Sequence, residues 1–175
     1  GAFTLGPIDL SLRVGEVVFL VGGNGSGKTT LAKLLVGLYA PESGSVVLNG
    51  QAIADASDRE RQRQQCTAVF SDFHLFDSLL GAASEGEEGV AGGNDGQGDH
   101  EGRYAALDAR ANELLARLQL QHKVTVRGGA FSTRALSQGQ RKRLALVAAC
   151  LEDRPVIVLD EWAADQDPAF KAVFY

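Results

Sequence analysis

The chain has 175 residues, of which 45% are hydrophobic and 22% charged, and a formal net charge of −5. This is the composition of one ordinary globular domain with a real buried core, and the acidic balance argues against sequence-independent DNA binding, which needs a basic surface to displace counterions. The longest apolar runs, Val17–Val21 and Leu144–Leu151, fall far short of the roughly 20 residues that span a bilayer, so any membrane function needs spans from another segment. Cys66 and Cys150 stand far apart in apolar surroundings and are expected as two buried thiols of a reducing compartment.

The chain has no Met and opens mid-pattern at Gly1-Ala-Phe-Thr-Leu, which predicts a domain cut from a longer protein. Ile8–Arg13 alternates apolar and polar residues, as a half-buried strand should, and Glu16–Val21 is an apolar run suited to a strand covered on both faces. A Gly-rich turn, Gly22–Gly27, leads into a predicted helix Lys28–Leu38 with Leu31, Leu34, Leu35 and Leu38 on one side. Pro41–Gly44 reads as a turn, and Ser45–Leu48 as a short strand closed by Asn49-Gly50. Asp58–Gln65 is a polar helical stretch, and Cys66–Phe70 another short strand.

Gly81–Arg103 breaks the pattern: it is Gly-rich and acidic without apolar period, and is expected as a flexible insertion. Tyr104–Leu120 resumes as an amphipathic helix with Leu107, Ala111, Leu114, Leu115 and Leu118 at helical spacing. Ser137–Leu151 is a further helix, and Pro155–Leu159 a buried strand ending in Asp160-Glu161. The order predicts an α/β fold with a helical subdomain inserted between the Gly-rich turn and the last core strand. Residues 1–80 and 152–175 would form the core, 81–103 the flexible insertion and 104–151 the helical subdomain.

Gly22-Gly23-Asn24-Gly25-Ser26-Gly27-Lys28-Thr29 matches G-x-x-x-x-G-K-[ST] in full, after an apolar run and opening a helix. Backbone N–H groups of such a loop, with Thr30 beside it, cradle phosphates at a positive helix end. Lys28 would reach the β and γ phosphates, and the Thr29 hydroxyl would ligate Mg²⁺. Asp160, at the carboxyl end of an apolar strand, suits the same cation. Glu161 is then placed either to polarise the attacking water as a general base or as an exposed loop carboxylate.

Ala135-Leu136-Ser137-Gln138-Gly139-Gln140 puts Ser137 and the Gly139 backbone at a helix start, a second anion-binding geometry. Here the chain resembles the ABC ATPases, whose signature reads Leu-Ser-Gly-Gly-Gln or a near variant. The resemblance implies a P-loop core of ABC type. Ser137, Gly139 and Gln140 of one copy would close over ATP held by the phosphate loop of a second, so that two domains sandwich two nucleotides. For Arg141, Lys142 and Arg143 a solvated helix face is expected.

Phe70-Ser71-Asp72-Phe73-His74-Leu75-Phe76-Asp77 looks like the segment that joins the two subdomains of export-type members. Ser71 stands where most carry a Gln that touches Mg²⁺ and water, so the resemblance implies a metal role for a shorter side chain. Together with Asp160-Glu161-Trp162-Ala-Ala-Asp165-Gln166-Asp167-Pro168, these segments are similar to the cyclic-peptide and siderophore exporters of Gram-negative bacteria, the pyoverdine type among them.

The resemblance further implies an ATPase at the cytoplasmic face of the inner membrane, partnered by a second copy, a transmembrane domain and a peptide-like substrate, with no nucleic acid. It places the adenine-stacking aromatic upstream of Gly1, with Phe3 the substitute within the chain, and the switch histidine beyond Tyr175. His74, His100 and His122 are not at its position. Three other readings compete. A chromosome-maintenance or DNA-repair ATPase would need a long coiled coil between Lys28 and Ser137, where no heptads are sustained. A P-loop kinase or GTPase would not need Leu136-Ser137-Gln138-Gly139-Gln140. A nucleotide-binding module with little turnover is the third.

Overall fold

The computed structural model describes residues 3–76, 78, 79 and 98–174, with side chains in the last stretch from Tyr104 to Ala172. They fall into two compact units, one within 1–68 and 154–160, the other within 69–153 and 161–175.

In the first unit the phosphate-loop helix α1 spans Lys28–Leu35 and stops short of Leu38. Gly37 ends it with φ 76°, a conformation that costs a residue without Cβ little. The Gly37 N–H donates to the Leu34 carbonyl and the Leu38 N–H to that of Lys33, which pairs the last-turn acceptors in a Schellman closure. The buried Gln62 amide donates to the same Leu34 carbonyl at 3.3 Å and to the Leu35 carbonyl at 2.8 Å. Gln62 lies on α2, Ala56–Gln64, which Asp55 and Asp58 start with a reciprocal capping box. Between the two helices, β1 (Val47–Leu48) and β2 (Gln51–Ala52) form an antiparallel hairpin. Asn49 and Gly50 turn it with φ 51° and 79°, the two positive values an Asn-Gly hairpin turn requires. β3 (Cys66–Val69) lies beside β6 (Val156–Leu159), with the Val156 N–H donating to the Gln65 carbonyl. Ile157 is 43% exposed, so this strand is less covered than its apolar run suggests.

The expectation for Ile8–Arg13 and Glu16–Val21 fails. Neither segment is a strand, and Val17 is 80% exposed. Between them the chain folds back locally. The Glu16 N–H donates to the Arg13 carbonyl, and the Glu16 carboxylate accepts from the Arg13 N–H at 2.9 Å. Alternation marks which face of a strand would be buried, but a strand forms only where a neighbour takes its backbone groups.

The second unit is helical. α3 spans Gly98–Arg117 and so takes in the last residues of the Gly-rich segment, whereas 81–97 lie outside the described residues. Its stripe buries Ala111 and Leu115 completely, together with Leu120, Val124, Leu144 and Val147. α3 also holds the hairpin of β4 (Val126–Arg127) and β5 (Ala130–Phe131) with polar side chains. Asn112 exchanges two hydrogen bonds with the Val126 backbone, at 2.9 and 3.0 Å, and Asp108 accepts from the Gly128 and Gly129 N–H groups. α4, Gln138–Leu151, is buried on nearly every side, and α5, Pro168–Phe174, follows with Asp167 accepting from the Phe170 N–H. Cys66 and Cys150 are free and half-buried, and burial raises both thiols above their usual pKa.

Candidate active site

The first unit carries the phosphate loop. From Gly22 to Ser26 the chain is exposed, and Gly25 and Gly27 have φ 76° and 92°. Phe3 and Leu5 pack under the end of the loop: a Cβ on Gly27 would lie 2.8 Å from Leu5 and 2.9 Å from Phe3. The Lys28 ammonium arches back over the loop and donates to the Gly22 and Gly23 carbonyls at 2.8 and 2.9 Å. Thr30 follows in the first turn of α1, and Asn24 lies in the exposed turn of the loop.

The contact that organises this half is Thr29 Oγ1 donating to Asp160 Oδ2 at 2.9 Å. The two residues are 131 positions apart, one in the first turn of α1 and the other just after β6. Asp160 is buried, at 7% exposure. A hydroxyl and a carboxylate oxygen at hydrogen-bond distance are the hard donors a Mg²⁺ ion takes, so the residues present fit that ion.

The second unit carries the other predicted residues. Ser137 caps α4 in a reciprocal box with Gln140: its hydroxyl accepts from the Gln140 N–H, and the Gln140 amide accepts from the Ser137 N–H. Gly139 is required by a close approach, since a Cβ there would lie 2.5 Å from the Asp165 carbonyl oxygen. Ser71 lies in an exposed turn of this unit. Glu161 is exposed and non-glycine at φ 50°, a left-handed conformation that costs about 1–2 kcal/mol.

Lys142 and Arg143 overturn the expectation of a solvated face. They are 3% and 8% exposed. The Lys142 ammonium donates to the Glu161 carbonyl at 2.9 Å and pairs with Asp165 at 2.6 Å. Arg143 donates to Gln166, pairs with Asp167, and lies 3.5 Å from the Phe170 ring centre. Asp167 is held below the usual carboxylate range, first by the Phe170 N–H and then by Arg143. Helix periodicity missed this arrangement because these cations are buried by a loop that arrives from later in the chain. The available signal was the acidic run Asp165-Gln166-Asp167 downstream of a basic one.

A Gly-rich loop opening a helix, with its Thr hydrogen-bonded to an acid at a strand end, is the arrangement of a phosphate-loop nucleoside triphosphate site. The family described as ABC transporter matches residues 5–164, and the chain belongs to it. It is 49% identical, over 99% of its length, to the ATP-binding protein SyrD of Pseudomonas syringae pv. syringae, of which it spans 27%. Over 92% of its length it is 36% identical to an ATP-dependent lipid A-core flippase of Ralstonia nicotianae, spanning 26% of that protein. Among solved structures it resembles cbiO1 from Clostridium perfringens, part of the ABC transporter complex cbiONQ. That match has a TM-score of 0.68 at 25% identity and covers 95% of this chain and 62% of the other. The chain is an ABC-type ATP-binding domain with the fold of the P-loop ATPases. Among the described residues no helix is long and apolar enough to cross a membrane.

Proposed function

We propose that the chain hydrolyses ATP to drive export of a peptide- or siderophore-like substrate across a bacterial inner membrane, at whose cytoplasmic face it works with a transmembrane domain and a second copy of itself. Gly22, Gly23, Asn24, Gly25, Ser26 and Gly27 wrap the phosphates with backbone N–H groups, helped by Thr30 and the N-terminus of α1. Lys28 exchanges its loop carbonyls for phosphate oxygens. Thr29 and Asp160, with the Ser71 hydroxyl beside them, would hold Mg²⁺, which would supply neutralisation of phosphate charge. Glu161 takes the proton of the attacking water. Ser137, Gly139 and Gln140 of one copy close over the nucleotide of the other. The observation that carries this reading is the Thr29–Asp160 contact, which joins the phosphate loop to the strand end and sets two hard oxygen donors side by side. Export of a peptide-like molecule rests on the likeness to SyrD together with the segments around Phe70 and Asp160. A transporter is favoured over a chromosome-maintenance ATPase because the flippase match runs over nearly the whole chain.

Glu161→Gln tests the assignment of the base. ATP binding is expected to persist while turnover falls roughly 100-fold or more, the scale of general-base catalysis. Normal hydrolysis by this variant would move the base elsewhere, with Asp72 the next candidate.

A further inference from the structure

Residues 161–166 are bound along the first turns of α4 by contacts made in both directions. The Lys142 ammonium on α4 donates to the Glu161 backbone carbonyl, and the indole N–H of Trp162 donates back to the Lys142 carbonyl at 2.9 Å. One turn nearer the helix start, the Gln166 amide donates to the Gly139 carbonyl at 3.0 Å. Lys142 is almost wholly buried, whereas Asp165, which pairs with it, is 44% exposed. A buried ammonium needs acceptors, and here one acceptor is the carbonyl of the residue proposed to be the base. That residue sits in a left-handed backbone conformation, which persists only when its surroundings hold it there.

We propose that Lys142 is a positioning residue for ATP hydrolysis. Oriented by Asp165, its ammonium grips the Glu161 carbonyl, keeps that backbone left-handed, and so sets the direction in which the Glu161 carboxylate leaves the chain. The inference rests on the reading of Glu161 as general base. Its chemistry is purely geometric: Lys142 touches no reacting atom. The same contacts join Glu161 to the helix start that carries Ser137 and Gly139, so a displacement of either is transmitted to the other.

The test compares Lys142→Met, Lys142→Arg, Asp165→Asn and Glu161→Gln in the full chain, measuring kcat, ATP affinity, melting and Trp162 emission. Trp162 is the chain's sole tryptophan, so its emission reports this segment. Lys142→Met and Asp165→Asn are expected to lower kcat by roughly 10- to 100-fold, as misplacement of a reacting group does, with ATP affinity little changed. Lys142→Arg, which keeps a cationic donor, should recover part of the rate, and Trp162 emission should shift to the red in Lys142→Met. Asp165 is partly exposed, so Asp165→Asn tests the idea even if Lys142→Met fails to fold. Wild-type kcat in Asp165→Asn and a folded Lys142 variant, beside an inactive Glu161→Gln, would overturn the inference and leave the base assignment standing. Parallel loss of melting, affinity and rate in all the Lys142 and Asp165 variants would reduce these contacts to structural support and also overturn it. Normal turnover in Glu161→Gln would remove the base assignment itself, and the inference with it.

Discussion

At the residue scale, the two ends of the candidate site differ in how much each side chain is constrained. Among the described residues Lys28 is held by two loop carbonyls, Gly22 and Gly23, in an exposed setting, so its ammonium can be handed to phosphate oxygens without exposing a buried charge. Lys28→Ala removes that cation and should weaken ATP binding by about 10- to 100-fold, from the 1.5–3 kcal/mol of a hydrogen bond to a charged group. A nucleotide titration checks this, and unchanged affinity would remove Lys28 from the site. Glu161 is the opposite case. Its carboxylate is exposed, but its backbone is held by Lys142 in a conformation that it would not adopt freely. The reading of Asp160 and Glu161 as an adjacent pair with divided roles came from the acids at the end of an apolar run. The conformation that separates them was not legible there, because it depends on a cation from another helix.

At the element scale, α3 and α4 make the core of the second unit. α3 presents Ala111 and Leu115, and α4 presents Leu144 and Val147, all fully buried. Leu115→Ala deletes atoms at the centre of that core while keeping helix propensity, so the loss is transfer free energy plus the cavity left behind, about 2–5 kcal/mol. Urea unfolding followed by circular dichroism should show it, whereas exposed Arg117→Ala should stay within about 0.5 kcal/mol. Equal effects in both variants would mean that α3 does not pack as described. The stripe on α3 was legible because its apolar residues recur at helical spacing. α4 carries no such stripe: it is buried nearly all round, and its charges are covered by residues 161–167 rather than by water.

At the scale of the whole molecule, the proposed mechanism divides each site between two copies. Lys28, Asp160 and Glu161 come from one copy, and Ser137, Gly139 and Gln140 from the other. The hydrolysis rate should then rise faster than linearly with protein concentration, because each site is completed only when two copies meet. Specific activity measured across a hundredfold dilution series decides the point. A flat profile would mean that one copy is self-sufficient, and the shared-site mechanism would have to be dropped.

What the sequence determined by itself is local. The Gly-rich turn that opens α1, the Asn49-Gly50 hairpin turn, the helix start at Ser137 and the Ala111–Leu115 spacing on α3 each depend on backbone geometry within a few residues. The tertiary structure alone decided which distant groups meet. It brought Thr29 to Asp160, buried Lys142 and Arg143 beneath residues 161–167, and left the alternating run Ile8–Arg13 outside any strand. The physical reason is the same in all three. Hydrogen-bond partners, counter-ions and ladder neighbours are supplied by chain far away in sequence, and no local period encodes their arrival.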